Sequence, residues 1–192
     1  MRIACIGSRE LEKNPEFAAD VDLMYKVYYR FAELGITMTS GLAAQGPDGI
    51  AQHAYAQAVK DGKATTSQLE VYIGDEIDRR RSSLPLRELA IIRNPKLIPQ
   101  TLELASSVHP AWHRCNEWAR RMHSRNCHQI FGYDLKSPVD AVVCWTTDGK
   151  IVGGTATALK LSMKAGIPVF NLGVKDKNKV LVDIGQLIKF GS

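Results

Sequence analysis

Three observations predict an α/β fold of Rossmann-like type, an open and mostly parallel sheet with helices on both faces. Short apolar runs alternate with stretches of helical period along most of the chain, the pattern of a parallel sheet wound with helices. Three of those runs are each followed by a glycine-bearing loop. The 192 residues contain no internal repeat and no low-complexity linker, which suits a single domain over 1–192.

Arg2 to Ile6 reads as a buried strand ending in Gly7-Ser8-Arg9. Phe17 to Leu34 has the period of a helix, with Val21, Met24, Tyr25, Tyr28 and Phe31 as its inward stripe and Gly35 as its stop. Ile36 to Thr39 is a second strand. It feeds a loop of small residues from Ser40 to Gly49, and a helix follows to Lys60 in which Ile50, Ala54, Tyr55 and Ala58 share a face. Leu69 to Gly74 is a third strand. Asp75 to Ser83 reads as a charged loop, and Pro95–Ser107 and Pro110–Ser124 read as helices, the second started by its proline. Regular alternation returns with a strand at Val139–Trp145, a loop from Thr146 to Thr155 and a helix over Ala156–Ala165. A last strand at Ile167–Leu172 and a helix at Val180–Phe190 complete the pattern. The segment 75–135 is expected to be a helical, basic insertion in the sheet or a cap over it.

Composition narrows the classes. An apolar share of 45% with 23% charged residues belongs to a soluble globule rather than a disordered chain. No apolar run reaches the length of a membrane span, so no membrane partner is expected. Met1 leads directly into a strand and Cys5, Cys115, Cys127 and Cys144 show no CxxC pairing; a cytoplasmic, reduced protein is the expectation. The net charge of +5 favours an anionic partner. Between Asp75 and Arg125, ten Lys/Arg stand against six Asp/Glu, so the basic excess concentrates there. A solvated, salt-bridged face accounts for that excess equally well.

In an open parallel sheet, loops after the strands gather at one edge, where ligands bind. Glycines let the backbone approach a phosphate, and a helix N-terminus adds unpaired N–H groups and a favourable dipole. Gly7, Ser8 and Arg9 form the first candidate loop, with Arg9 as a phosphate-facing guanidinium. Ser40, Gly41, Leu42, Ala43, Gly46 and Asp48 form the second, and Gly153, Gly154 and Thr155 the third. The second loop lacks the Lys-Ser/Thr ending of a Walker motif. Asp48 is the carboxylate inside a ligand-facing loop: it can hold a ribose hydroxyl, act as a catalytic base, or cap the following helix.

These motifs, in this order, resemble the SLOG superfamily of Rossmann-like domains. The elements are Ile6-Gly7-Ser8-Arg9, Ser40-Gly41-Leu42-Ala43 with Gly46, Asp48 and Ala51, then Gly153-Gly154-Thr155 and Ala165-Gly166-Ile167-Pro168-Val169-Phe170. The likeness is greatest to the Rossmann domain of DprA proteins and more distant to the LOG nucleotide phosphoribohydrolases, and it covers about 1–74 and 139–172. It implies a nucleotide or single-stranded nucleic-acid ligand, no cofactor and a homodimer. This chain departs from DprA in carrying Ala44-Gln45 where the family has a single arginine. It departs from LOG enzymes in having no carboxylate in Gly153–Lys160, where they carry a catalytic glutamate. The phosphate pocket therefore transfers better than the catalysis. An N-glycosidase acting on nucleoside 5′-phosphates remains the enzymatic alternative, with Asp48 or Glu70 in place of the missing glutamate; a DprA-like accessory protein that binds single-stranded DNA is a further one.

Outside the motifs, four of the five histidines fall between 109 and 128. His109, Trp112, His113, Arg125 and Asn126 are candidates for contacts to a nucleic acid or base, by charge and by stacking. His109 and His113, four apart on an expected helix, can also place two imidazoles on one metal, with Cys115, Cys127 and His128 near. No compact ligand pair completes a recognised pattern, so the sequence assigns no metal site.

Overall fold

The computed structural model describes residues 1–190. Six strands, β1 (Arg2–Gly7), β2 (Thr37–Gly41), β3 (Leu69–Ile73), β4 (Ala90–Ile92), β5 (Ala141–Trp145) and β6 (Val169–Asn171), form one sheet in the order β4-β3-β2-β1-β5-β6. Every pairing is parallel. The helices are α1 (Glu10–Lys13), α2 (Ala18–Glu33), α3 (Pro47–Lys60), α4 (Glu76–Arg81), α5 (Ile98–Ser106), α6 (Glu117–Phe131), α7 (Ala156–Lys164) and α8 (Lys177–Phe190). The fold is thus the expected Rossmann-like α/β sheet flanked by helices.

Alternation along the strands explains why both faces are covered. Ile3 and Cys5 of β1 join Met38, Val71, Val143 and Trp145 in a core closed by α2, α3 and Ile184 of α8. Ala4 and Ile6 point to the opposite face with Val142 and Cys144, against Ile130 of α6 and Ala158 and Leu159 of α7. Fully burying such a side chain stabilises by about 1.5–3 kcal/mol, against about 0–1 for an exposed ion pair. The two apolar layers therefore hold the fold. Polar groups inside them are bonded: Tyr28 donates to the Val143 carbonyl (3.0 Å) and Trp145 Nε1 to Asp20 (2.8 Å). Burial raises the pKa of Cys5 and pushes Cys127 and Cys144 up to about 12, so these thiols are inert core residues.

The strand order places a ligand crevice. The chain steps outward from β1 through β2 and β3 to β4, returns across the sheet, and steps the other way through β5 to β6. The reversal lies between β1 and β5, and open α/β sheets take ligands outside the carboxyl ends of strands at such a point.

Residues 75–135 depart from the sequence reading in three ways. Glu76–Arg81 is helical, because Asp75 caps the turn, accepting from the Ile77 and Asp78 N–H groups while Asp78 reaches back to the Asp75 N–H. Ala90–Ile92 joins the sheet as an edge strand beside β3, so the segment contributes to the sheet as well as to its covering. The helix expected over Pro110–Ser124 begins only at Glu117, since the Asn116 side chain accepts from the Ala119 N–H (2.8 Å) and sets the start. Trp112–Arg114 forms a short 3-10 turn instead.

Candidate functional site

A cavity of about 910 Å³ opens at the β1/β5 reversal. Its volume lies within the range of small-molecule sites, roughly 300–1,000 Å³. All three glycine loops reach it, through Gly7, Ser8 and Arg9, through Leu42, Ala43 and Asp48, and through Gly153, Gly154 and Thr155. Arg125 and Asn126 of α6 line it as well. A smaller hollow of about 290 Å³ beside Leu11, Asn14 and Val21 gathers none of these loops.

The wall under β1 and β2 is built by close approach. A Cβ on Gly7 would stand 2.3 Å from Pro47 Cγ, and one on Gly41 would stand 1.6 Å from Arg125 Nη1 and 2.6 Å from Asp48 Oδ1. Gly46 has φ +80° and lies against the Ser8 carbonyl, so the first two loops are packed on each other. Gly46 N–H also donates to Glu12. Ser40 is buried below this wall, its hydroxyl directed to the Gly41 (3.1 Å) and Asp48 (3.2 Å) carbonyls. Ser40, Gly41 and Gly46 thus support the site without lining it.

Asp48 does not cap α3. Its Oδ1 accepts from the Gly41 N–H (2.6 Å) and Gln129 Nε2 (3.1 Å) and faces Arg125 Nη1 at 3.6 Å. Burial raises its pKa, opposed by Arg125 and the Gly41 hydrogen bond; the same burial lowers the pKa of Arg125, opposed by Asp48. Arg125 Nη1 also donates to Gln129 Oε1 (2.9 Å). These three side chains lock α6 to the second glycine loop.

No protein-family model, curated protein or solved structure matches this chain significantly. The site is therefore read from its own chemistry.

Part of the lining is free. Arg9 is exposed and its guanidinium makes no ion pair or hydrogen bond within the described residues, while the neighbouring Ser8 hydroxyl accepts the Glu10 N–H (3.2 Å) at the start of α1. Gly153 and Gly154 are exposed, with nothing within 4 Å of a Cβ built on either, and α7 starts behind them without a side-chain cap. The Ala156 N–H donates to the Gly153 carbonyl (3.2 Å), which leaves the Thr157 and Ala158 N–H groups of the first turn to meet an anion. Trp118 is 53% exposed at the cavity edge.

Trp118, Met122, Arg125 and Gln129 form one stripe of α6, at spacings of four, three and four; sequence reasoning offers Arg125 as a contact and Trp118 as a stacking face, and does not find Met122 or Gln129. Asn116 followed by Glu117 is the start signal that would have revealed that stripe. His123, Arg81 and Thr146 also line the cavity. His109, Trp112 and His113 do not. His109 and Trp112 pack with His123 at centroid distances of 4.7 and 6.0 Å, and His113 is exposed on its short turn. Burial lowers the His123 pKa to about 4, with His109 and Arg125 adding to the effect. Glu70, the alternative carboxylate, pairs with Arg2 (2.6 Å) and accepts from Tyr72 (2.8 Å) and does not line the cavity. Among the described residues no helix is long and apolar enough to cross a membrane.

Proposed function

We propose that this chain binds a nucleotide by its phosphate in the cavity at the β1/β5 reversal. The observation that carries the reading is the meeting of an unpaired Arg9, the open Gly153–Gly154 backbone and an uncapped α7 N-terminus in one cavity. A guanidinium and clustered N–H groups are complementary to a phosphate, and the half-exposed Trp118 offers a stacking face for a base. The motif resemblance to SLOG domains points to the same ligand class. Calorimetric titration with nucleoside 5′-phosphates is expected to give saturable one-to-one binding, weakened about 10- to 100-fold by Arg9→Ala, the effect of losing hydrogen bonds between charged groups. An affinity that instead rises with the length of a DNA strand and falls steeply with salt would transfer the site to single-stranded nucleic acid. Binding of neither, or binding indifferent to Arg9→Ala, contradicts the proposal.

A second reading rests on Asp48, a cavity carboxylate whose pKa is raised by burial. In that reading Asp48 stabilises the oxocarbenium-like state as water attacks the anomeric carbon and the C–N bond breaks, releasing a base that takes up the water's proton. Incubating the protein with a panel of nucleotides and measuring free base tests it. Release abolished by Asp48→Asn supports hydrolysis, and no release from any of them rules it out.

A further inference from the structure

The loop between α5 and α6 folds back so that His109 and Cys115 meet His123 on α6. One side-chain donor atom from each of the three lies within 4.8 Å of the others. The Cys115 sulfur is 3.8 Å from both ring nitrogens of His109. His123 is buried, and its Nδ1 has no hydrogen-bond partner within the described residues. An orphaned ring nitrogen inside a folded chain is uncommon, and it sits beside a thiol and a second imidazole. Around zinc, bonds of about 2.3 Å to sulfur and 2.0–2.1 Å to nitrogen put tetrahedral ligand atoms about 3.4–3.6 Å apart. The His109–Cys115 pair is close to that spacing already, and side-chain rotation of about an ångström brings in His123.

We propose that His109, Cys115 and His123 form a binding site for Zn²⁺ or a divalent ion of similar softness. One thiolate with two imidazoles suits zinc and excludes the oxygen-seeking Mg²⁺ and Ca²⁺. The spacing, His-x5-Cys-x7-His, differs from the His109–His113 pair suggested by helical period, because the 109–115 stretch is a loop and His113 stands outside the cluster. In the structure the Ala111 N–H donates to His109 Nδ1 (3.2 Å), so coordination through that nitrogen replaces one long hydrogen bond. Three protein ligands leave the fourth position to water or an exogenous ligand, the ligand count of reactive rather than purely structural zinc sites. The ion ties the loop to α6 two residues before Arg125, and so fixes the helix that walls the cavity. This inference stands apart from nucleotide binding: the site can hold metal whether or not the cavity takes a nucleotide.

The test uses the full chain, stripped with chelator and titrated with Co²⁺ and then with Zn²⁺ against a chromophoric competitor. One equivalent of Co²⁺ is expected to give a thiolate-to-cobalt charge-transfer band in the near ultraviolet, and Zn²⁺ to displace it. Cys115→Ser is expected to abolish the band and weaken Zn²⁺ binding by at least about 100-fold, more than the 10–100-fold typical of losing a ligand's outer partner. Cys127→Ser, which leaves the cluster intact, keeps both. His123→Gln, checked by circular dichroism for retained fold, loses the affinity without removing the thiol. No charge-transfer band in the wild-type chain, or Zn²⁺ binding unchanged in Cys115→Ser, overturns the proposal.

Discussion

The loop after β2 and the loop after β5 face the same cavity with glycine-rich sequences, but Gly41, Gly46 and Gly49 in the first and Gly153 and Gly154 in the second stand in opposite surroundings. After β2, the space is filled. Gly41 is overrun by the Arg125 guanidinium and the Asp48 carboxylate, Gly49 by the Ala44 carbonyl, and Gly46 by the Ser8 carbonyl. After β5, Gly153 and Gly154 meet nothing. A glycine crowded by its own protein serves packing, whereas an uncrowded glycine at a cavity mouth leaves room for something that arrives from solution. The contrast divides the site into a preassembled wall of β1, β2 and α6 and an open side made by Arg9 and the β5–α7 loop.

Substitutions can break that contrast, and the largest effect belongs to the wall. Arg125→Ala leaves Asp48 buried without its cation and is expected to cost about 3–5 kcal/mol in denaturant unfolding, with Asp48→Asn in the same background recovering part of the loss. A cost under about 1 kcal/mol would mean that the wall is not held by this pair. Gly41→Ala is expected to destabilise by roughly 2–3 kcal/mol, since its Cβ displaces a paired guanidinium rather than a free one. Next comes pH. His128 on α6 donates from Nδ1 to the Gly132 carbonyl (3.0 Å) and accepts the Asn94 N–H at Nε2 (3.3 Å), so it is held neutral, and burial lowers its pKa. The unfolded chain then binds the proton at higher pH than the folded one. Its contribution to stability is complete above about pH 6.5 and drains as pH falls through the depressed folded value. Thermal melts across that range should show the decline, and His128→Gln, which can also donate and accept, should flatten it.

The smallest expected stability changes lie in the open loop. Gly153→Ala is expected to cost about 1 kcal/mol for its φ of +73° alone. Gly154→Ala should leave stability within about 0.5 kcal/mol, because its Cβ meets nothing, while reducing nucleotide affinity. A Gly154→Ala chain that unfolds early would erase the distinction between the two loops.

Much of this architecture was readable from residue order. Buried parallel strands appear as continuous apolar runs such as Ala141–Trp145, and the helices between them carry the 3.6 period, so the alternation was plain. The three glycine loops were found for the same reason. What glycine cannot disclose is whether its missing side chain makes room for a neighbour or for a ligand, so Gly41 and Gly154 looked alike. The middle segment was harder. Pro110 offered a competing helix start, which hid the Asn116 cap and with it the Trp118–Gln129 stripe. Ala90–Ile92 is too short to show a period, and its place as an edge strand is set by β3. The His109–Cys115–His123 cluster depends on how a loop turns back onto α6, a contact between residues up to 14 positions apart that no local pattern encodes.

The measurement that bears most directly on the central claim is an amide chemical-shift titration of the full chain with a nucleoside 5′-monophosphate. Saturable shifts centred on Gly153, Gly154, Thr155 and the first turn of α7, with the Arg9 Nε–H moving in parallel, are the expected result. The Gly41 and Gly46 amides, bonded to Asp48 and Glu12, should move little. No saturable shift, or shifts confined to residues away from the cavity, would contradict the account.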